Sequence, residues 1–185
     1  MYVILLFCLM ILVFFSYDTI HQNIIDDRVY VTAFDGNKYL VRNTREKKDT
    51  ADALARINER ILLFISRLES DNNENTAVVK RLRNRYRPDT LNETKIHNEF
   101  TSYTINKGES ISLCVRTRDS DDKLYNDNIL FGVILHELAH VGSVGIDHGD
   151  EFKKNFIFLL KKASEWKMFE RITEPFDYCG IETVI

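Results

Sequence analysis

The segment from about Asp127 to Val141 is strongly apolar, with Ile129, Leu130, Phe131, Val133, Ile134, Leu135, Leu138 and Ala139, yet it carries His136, Glu137 and His140. Its pattern predicts a buried helix that Asn126 or Asp127 can cap. Two imidazoles and a carboxylate without partners are costly inside such a helix. At about 3.6 residues per turn, His136 and His140 project from one face, and Glu137 lies roughly 100° around from His136. The H-E-x-x-H spacing therefore makes a two-imidazole clamp with a carboxylate beside the open coordination position. A bound metal removes the objection to burial, so the motif constrains both the helix and its surroundings.

A catalytic zinc takes three protein ligands and keeps its remaining position for water. His148 is the expected third ligand. Seven residues, Val141 to Asp147, separate it from His140, and Gly142 and Gly145 let the chain leave the helix and turn back. Asp147 is expected to cap a following helix whose first turn holds Asp150 and Glu151. Glu151 and Glu165 are the alternative third ligands. Imidazole donors suit Zn²⁺ best, although Co, Ni or Fe could also bind. The metal would bring the pKa of its water to about 7, and Glu137 would take the proton and pass it to a leaving amine. Tyr178, Tyr125 and Tyr103 are candidates for steadying the oxyanion, with core packing the more usual role for each.

These residues resemble a known family. H-E-L-A-H, a glycine-containing spacer, then H-G-D-E-F and a helix are similar to the WLM/SprT-like zinc metallopeptidases, over a core of about residues 100–166. Upstream, Y-T-I-N-K-G-E-S-I-S-L-C-V-R resembles the substrate-side edge strand of that family. The resemblance implies a Zn²⁺ cofactor, His136, His140 and His148 as ligands, Glu137 as general base, and a protein or peptide substrate. The spacer differs from the short metzincin spacer, which excludes that clan. The chain also resembles metallopeptidase-like proteins of large DNA viruses that join a short anchor to this domain.

The fold expected is α+β: a zincin-like domain with an H-E-x-x-H helix, a small antiparallel sheet and an N-terminal transmembrane helix. Residues 1–17 hold no charge and are almost continuously apolar, so they are expected to be a single-pass membrane anchor, in a host or virion membrane if the chain is viral. Residues 18–185 would form the metallopeptidase-like domain. Within it, Val29 to Arg42 reads as a hairpin about Asp35-Gly36, and Phe100 to Arg118 as a second about Asn106-Lys107-Gly108, with Ile111, Leu113 and Val115 on one face. Leu54, Ile57, Ile61, Leu62, Phe64, Ile65 and Leu68 recur at helical spacing between Asp49 and Glu69. A second helix, Ala77 to Tyr86, ends before Pro88.

That second helix brings together Lys80, Arg81, Arg83, Arg85 and Arg87, a pattern that suits a solvated face better than a nucleic-acid patch. A net charge of -3, from 25 basic and 28 acidic residues, gives no global reason for a nucleic-acid partner. Cys8 lies in the apolar run. Cys114 and Cys179 are more often two buried thiols than a disulfide, which would need an oxidising space. Asn92-Glu93-Thr94 is a glycosylation triplet of a kind that chance often supplies. The function these features favour is a membrane-anchored zinc endopeptidase. The alternatives are a scaffold stapled by zinc and a protease of DNA–protein crosslinks.

Overall fold

Gly36 adopts φ +82°, the left-handed conformation that a tight hairpin turn requires, and lies in the turn that joins β1 (Arg28–Thr32) to β2 (Lys38–Arg42) as the expected antiparallel hairpin. The computed structural model describes residues 26–71, 76–96 and 98–185. Helix α1 (Lys47–Ser70) follows, with Leu54, Ile57, Ile61, Phe64, Ile65 and Leu68 buried. Leu62, grouped with this stripe by spacing, lies on the outer flank and is 44% exposed. Helix α2 (Thr76–Arg85) stops short of Pro88, as the proline dictates.

The sheet differs from expectation. Strands β4 (Tyr103–Ile105) and β5 (Ser110–Leu113) form the antiparallel hairpin, but β3 (Leu91–Glu93) pairs with β5 in parallel, giving a mixed sheet ordered β3-β5-β4. Ile111, Leu113 and Val115 are fully buried, as their alternation requires. A final hairpin of β6 (Phe176–Tyr178) and β7 (Ile181–Thr183) forms a separate two-stranded sheet. Cys114 and Cys179 are joined by a disulfide, not left as thiols, and so fasten this hairpin to the end of β5. Asn92 of the glycosylation triplet sits within β3, where its amide donates to the Thr90 carbonyl at 2.9 Å.

Helix α3 (Asp127–Gly142) runs through the core, packed by α1, α2, α4 (Asp150–Glu165), β4 and β5. Asn126 caps it, accepting from the Ile129 amide at 2.9 Å. Gly142, the last residue of this helix, is called for by close packing: a Cβ there would stand 2.5 Å from Cγ2 of Val78 on α2. Gly142→Ala is therefore expected to cost about 1–3 kcal/mol through overpacking, read as a lower midpoint in urea unfolding. An unchanged midpoint would show that α2 can shift without penalty.

Among the described residues, no helix is long and apolar enough to cross a membrane. This corrects the expectation of a transmembrane helix and a single-pass membrane location. The longest described helix, α1, is amphipathic and charged on its outer side, while the most apolar one, α3, has only 16 residues and is enclosed by the core. The segment 1–17, on which the anchor rested, lies outside the described residues.

Candidate metal centre

His136 and His140 project from one side of α3, as their spacing dictates, and the segment 143–149 brings His148 back to meet them. The donor atoms of the three imidazoles lie within 4.8 Å of one another. Nε2 of His148 is 3.1 Å from Nε2 of His136. Phe152, in the first turns of α4, packs against all three rings at centroid distances of 4.3–4.8 Å, with Phe156 beside His136 at 5.3 Å. Burial, reinforced by the neighbouring imidazoles, lowers His136 to a pKa of about 4. Burial, then His148 and Lys107, brings His140 to about 4 as well. Both are therefore neutral at physiological pH, the form in which imidazole donates to a metal. Three imidazoles converging from two elements form a donor set that fits a zinc ion.

The return of the chain from α3 to α4 is held at several points. Arg81 donates to the Gly142 carbonyl at 3.0 Å and to Glu151 at 2.7 Å. Arg85 donates to the carbonyls of Val141 and Ser143 at 2.8 and 3.0 Å. These guanidinium groups satisfy carbonyls left open at the helix end and suit its partial negative charge. Much of the basic character of α2 is thus spent on α3, while Lys80 and Arg87 stay exposed. Glu151 accepts from the amides of Val144 and Gly145 at 2.9 and 3.4 Å, and these bonds help hold its carboxylate below the usual range. Lys107, in the β4–β5 turn, donates to the Gly145 carbonyl. Buried Asn155 of α4 donates to Ser143 Oγ at 2.9 Å, and Ser143 in turn donates to the Ala139 carbonyl. Helix α4 begins two residues later than expected, with Gly149 at its cap and Asp147 accepting from the Gly149 amide at 3.4 Å.

Neither alternative carboxylate joins the histidines. Glu151 is engaged as described, and Glu165, the last residue of α4, pairs with Lys162 at 3.3 Å. Glu137 is only 3% exposed. Burial pushes its carboxyl up to about 7, opposed by the hydroxyl of Thr104, which donates to Oε2 at 2.8 Å. Thr104 was not legible as a site residue, because one threonine in a strand has no signature of its own. It sits in the middle of β4, whose other edge is unpaired among the described residues. Of the stretch Tyr103 to Arg116 expected as an edge strand, only β4 lies at an edge, while β5 is the central strand.

A cleft of about 190 Å³ opens beside His136 and Glu137, walled by Val133, Phe156, Tyr178 and Val184. The hydroxyls of two candidate tyrosines are occupied. Tyr178 donates to the Cys114 carbonyl at 2.7 Å and meets Ser102 Oγ at 2.9 Å, while Tyr125 accepts from the Cys179 amide at 2.7 Å. Tyr103 packs edge-on to Phe100 at 6.2 Å.

The chain is similar to known proteins in sequence and in fold. The WLM domain family model matches residues 58–175. An uncharacterized protein of Acanthamoeba polyphaga mimivirus is 35% identical over 159 residues, covering 82% of this chain and 80% of the relative. An uncharacterized protein of Invertebrate iridescent virus 3 is 50% identical over 94 residues, covering 49% of this chain and 57% of the relative. Among solved structures, Wss1 from Saccharomyces cerevisiae superimposes with a TM-score of 0.52 at 16% identity, over 69% of this chain and 87% of that one. At that identity the likeness concerns the fold.

Proposed function

From the premise that this chain belongs to the WLM domain family, we propose that it is a zinc-dependent endopeptidase. In this reading His136, His140 and His148 are the metal ligands and Glu137 is the general base. The observation that carries the reading is the convergence of three imidazoles next to a buried carboxylate in an open cleft. A Zn²⁺ ion on these ligands would supply a Lewis acid that makes water acidic and polarises the scissile carbonyl. Glu137 accepts the proton of the attacking water and delivers it to the leaving amine. Thr104 holds the Glu137 carboxylate in place from β4. The unpaired edge of β4 offers backbone groups to which an extended peptide can hydrogen-bond, next to that base. A scaffold merely stapled by zinc would gain nothing from a buried carboxylate facing a cleft. The guanidinium groups of Arg81 and Arg85 serve helix carbonyls instead of forming a free anionic-ligand surface.

The test is metal analysis of the full chain. The protein is expected to carry about one Zn²⁺ per molecule, and His148→Ala to lose most of it, because two imidazoles alone make an incomplete site. Full zinc retention in His148→Ala, measured by plasma emission after dialysis against a weak chelator, would remove His148 from the ligand set.

A further inference from the structure

A second depression shares one wall residue with the cleft. A groove of about 290 Å³ lies along α4, lined by Ile157, Leu160, Phe169 and Ile185, with Lys161 and Arg171 among its lining residues. Ile185 borders both the groove and the cleft. Along α4 the link is helical. Phe156 lines the cleft, while Leu160 and Ser164, four and eight positions on, line the groove, so one face leads from one to the other. Gly132 on α3 permits the opposite wall: a Cβ there would meet Phe169 Cε2 at 2.7 Å and Ile185 Cγ2 at 3.0 Å.

Length and charge say what this groove fits. From Phe156 to Ser164 the helix advances roughly 12 Å at about 1.5 Å per residue. That distance accommodates about three to four residues of extended peptide at roughly 3.3 Å each. The groove is apolar, and Ile157 is 65% exposed. Arg171 is exposed and has no ion-pair partner among the described residues, and Lys161 has only a loose 3.8 Å contact with Glu165. A peptide added antiparallel to the free edge of β4 would run from Ile105 toward Tyr103. Its C-terminal half would then pass Ser102 and Thr101, which line the cleft.

The geometry points to a second recognition element for the substrate. The α4 groove takes residues C-terminal to the scissile bond, selecting an apolar side chain followed by a carboxylate about three to four residues beyond the cut. The apolar side chain rests on Leu160, Phe169 and Ile185, and Lys161 and Arg171 receive the carboxylate. This inference rests on the peptidase reading above, but its test separates the two.

Digests of a positional-scanning peptide library by the full chain, with cut sites read by mass spectrometry, are expected to show Asp and Glu enriched at the third or fourth residue after the cut. The K161E/R171E double variant should lose that enrichment. Its kcat/KM for acidic members should fall about tenfold, the scale expected for reversing two exposed charges, and the effect should shrink as salt rises. Zinc content and cleavage of uncharged members should stay unchanged. A positional preference unmoved by the charge reversal overturns the groove. Binding provides the arm that needs no turnover: fluorescein-labelled apolar-acidic and apolar-basic peptide pools are titrated into the full-chain Glu137→Gln protein and followed by anisotropy. Equal affinity for the two pools, or affinity indifferent to K161E/R171E, also overturns it. Selective binding by a protein whose wild type cleaves nothing would instead overturn the peptidase reading and support the groove.

Discussion

Glu137→Gln is expected to leave the fold and the zinc content intact and to lower hydrolysis by at least roughly 10²–10⁴-fold, the usual cost of losing an acid–base group. Glutamine has nearly the same shape as glutamate, and the proposed ligand set does not include position 137. Burial also favours a neutral side chain there, since the carboxyl of Glu137 is 3% exposed and pushed up to about 7. The amide oxygen of glutamine can still accept from Thr104, so the side chain should remain in place; what it lacks is a site for the proton. The measurement is kcat/KM on any substrate that the library digest reveals, with metal content and the unfolding midpoint measured alongside. Equal rates for wild type and Glu137→Gln would sink the proposed mechanism. A fall in rate accompanied by loss of zinc would instead mean that Glu137 supports the metal.

Glu93→Ala is expected to destabilise the protein by about 3–5 kcal/mol, the range for breaking a buried charge pair from one side. For a chain of this size that lowers the melting temperature by about 10 °C. Glu93 is 1% exposed, at the end of β3. Its carboxylate accepts from the backbone amide of Arg42 at 2.6 Å and from Arg42 Nε at 2.7 Å. Alanine would leave that amide without its acceptor and the guanidinium, itself 4% exposed, with only Asp122 at 2.9 Å. Replacing both Arg42 and Glu93 by Met should cost less than Glu93→Ala alone, because no buried charge is then stranded. The effect reaches the site through the sheet. Strand β3 is one neighbour of β5 and β4 the other, so loosening β3 disturbs the strand that presents Thr104 to Glu137. Thermal unfolding of the single and double variants decides it. A loss under about 1 kcal/mol for Glu93→Ala would show that water reaches this pair.

What could be read from the sequence was local. The stripe of α1, the Asp35-Gly36 turn and the spacing of His136 and His140 each depend on residues a turn or two apart. The approach of His148 to that pair is legible from the glycines and the start of α4 next to it, although the helix begins at Asp150 and not directly after Asp147. Other features depend on partners distant in the chain. Leu91–Glu93 is too short to show an alternation, and its parallel pairing needs β5 some twenty residues on. Burial of Glu93 is set by Arg42, 51 positions away. The pairing of Cys114 with Cys179 spans 65 positions. The sequence pattern of Arg81 and Arg85 suits a solvated charged face, because composition does not reveal that the carbonyls of α3 end beneath them. The anchor rested on hydropathy alone and fell on residues outside those described. Thr104 gained its role from a hydrogen bond that only the packing of β4 against α3 creates.

The ties that hold residues 143–149 bear on what binding a metal has to accomplish. An exposed loop normally surrenders conformational entropy when one of its residues becomes a ligand, and that loss weakens the observed affinity. Here Glu151 grips two amides of the loop, Lys107, Arg81 and Arg85 grip its carbonyls and those of the preceding helix end, and Asn155 fixes Ser143. Nε2 of His148 lies 3.1 Å from Nε2 of His136 at the end of this loop. The centre is preorganised by the protein's own hydrogen bonds. The side-chain and backbone bonds that order this loop on folding thereby lessen the entropy that ligation through His148 would otherwise cost.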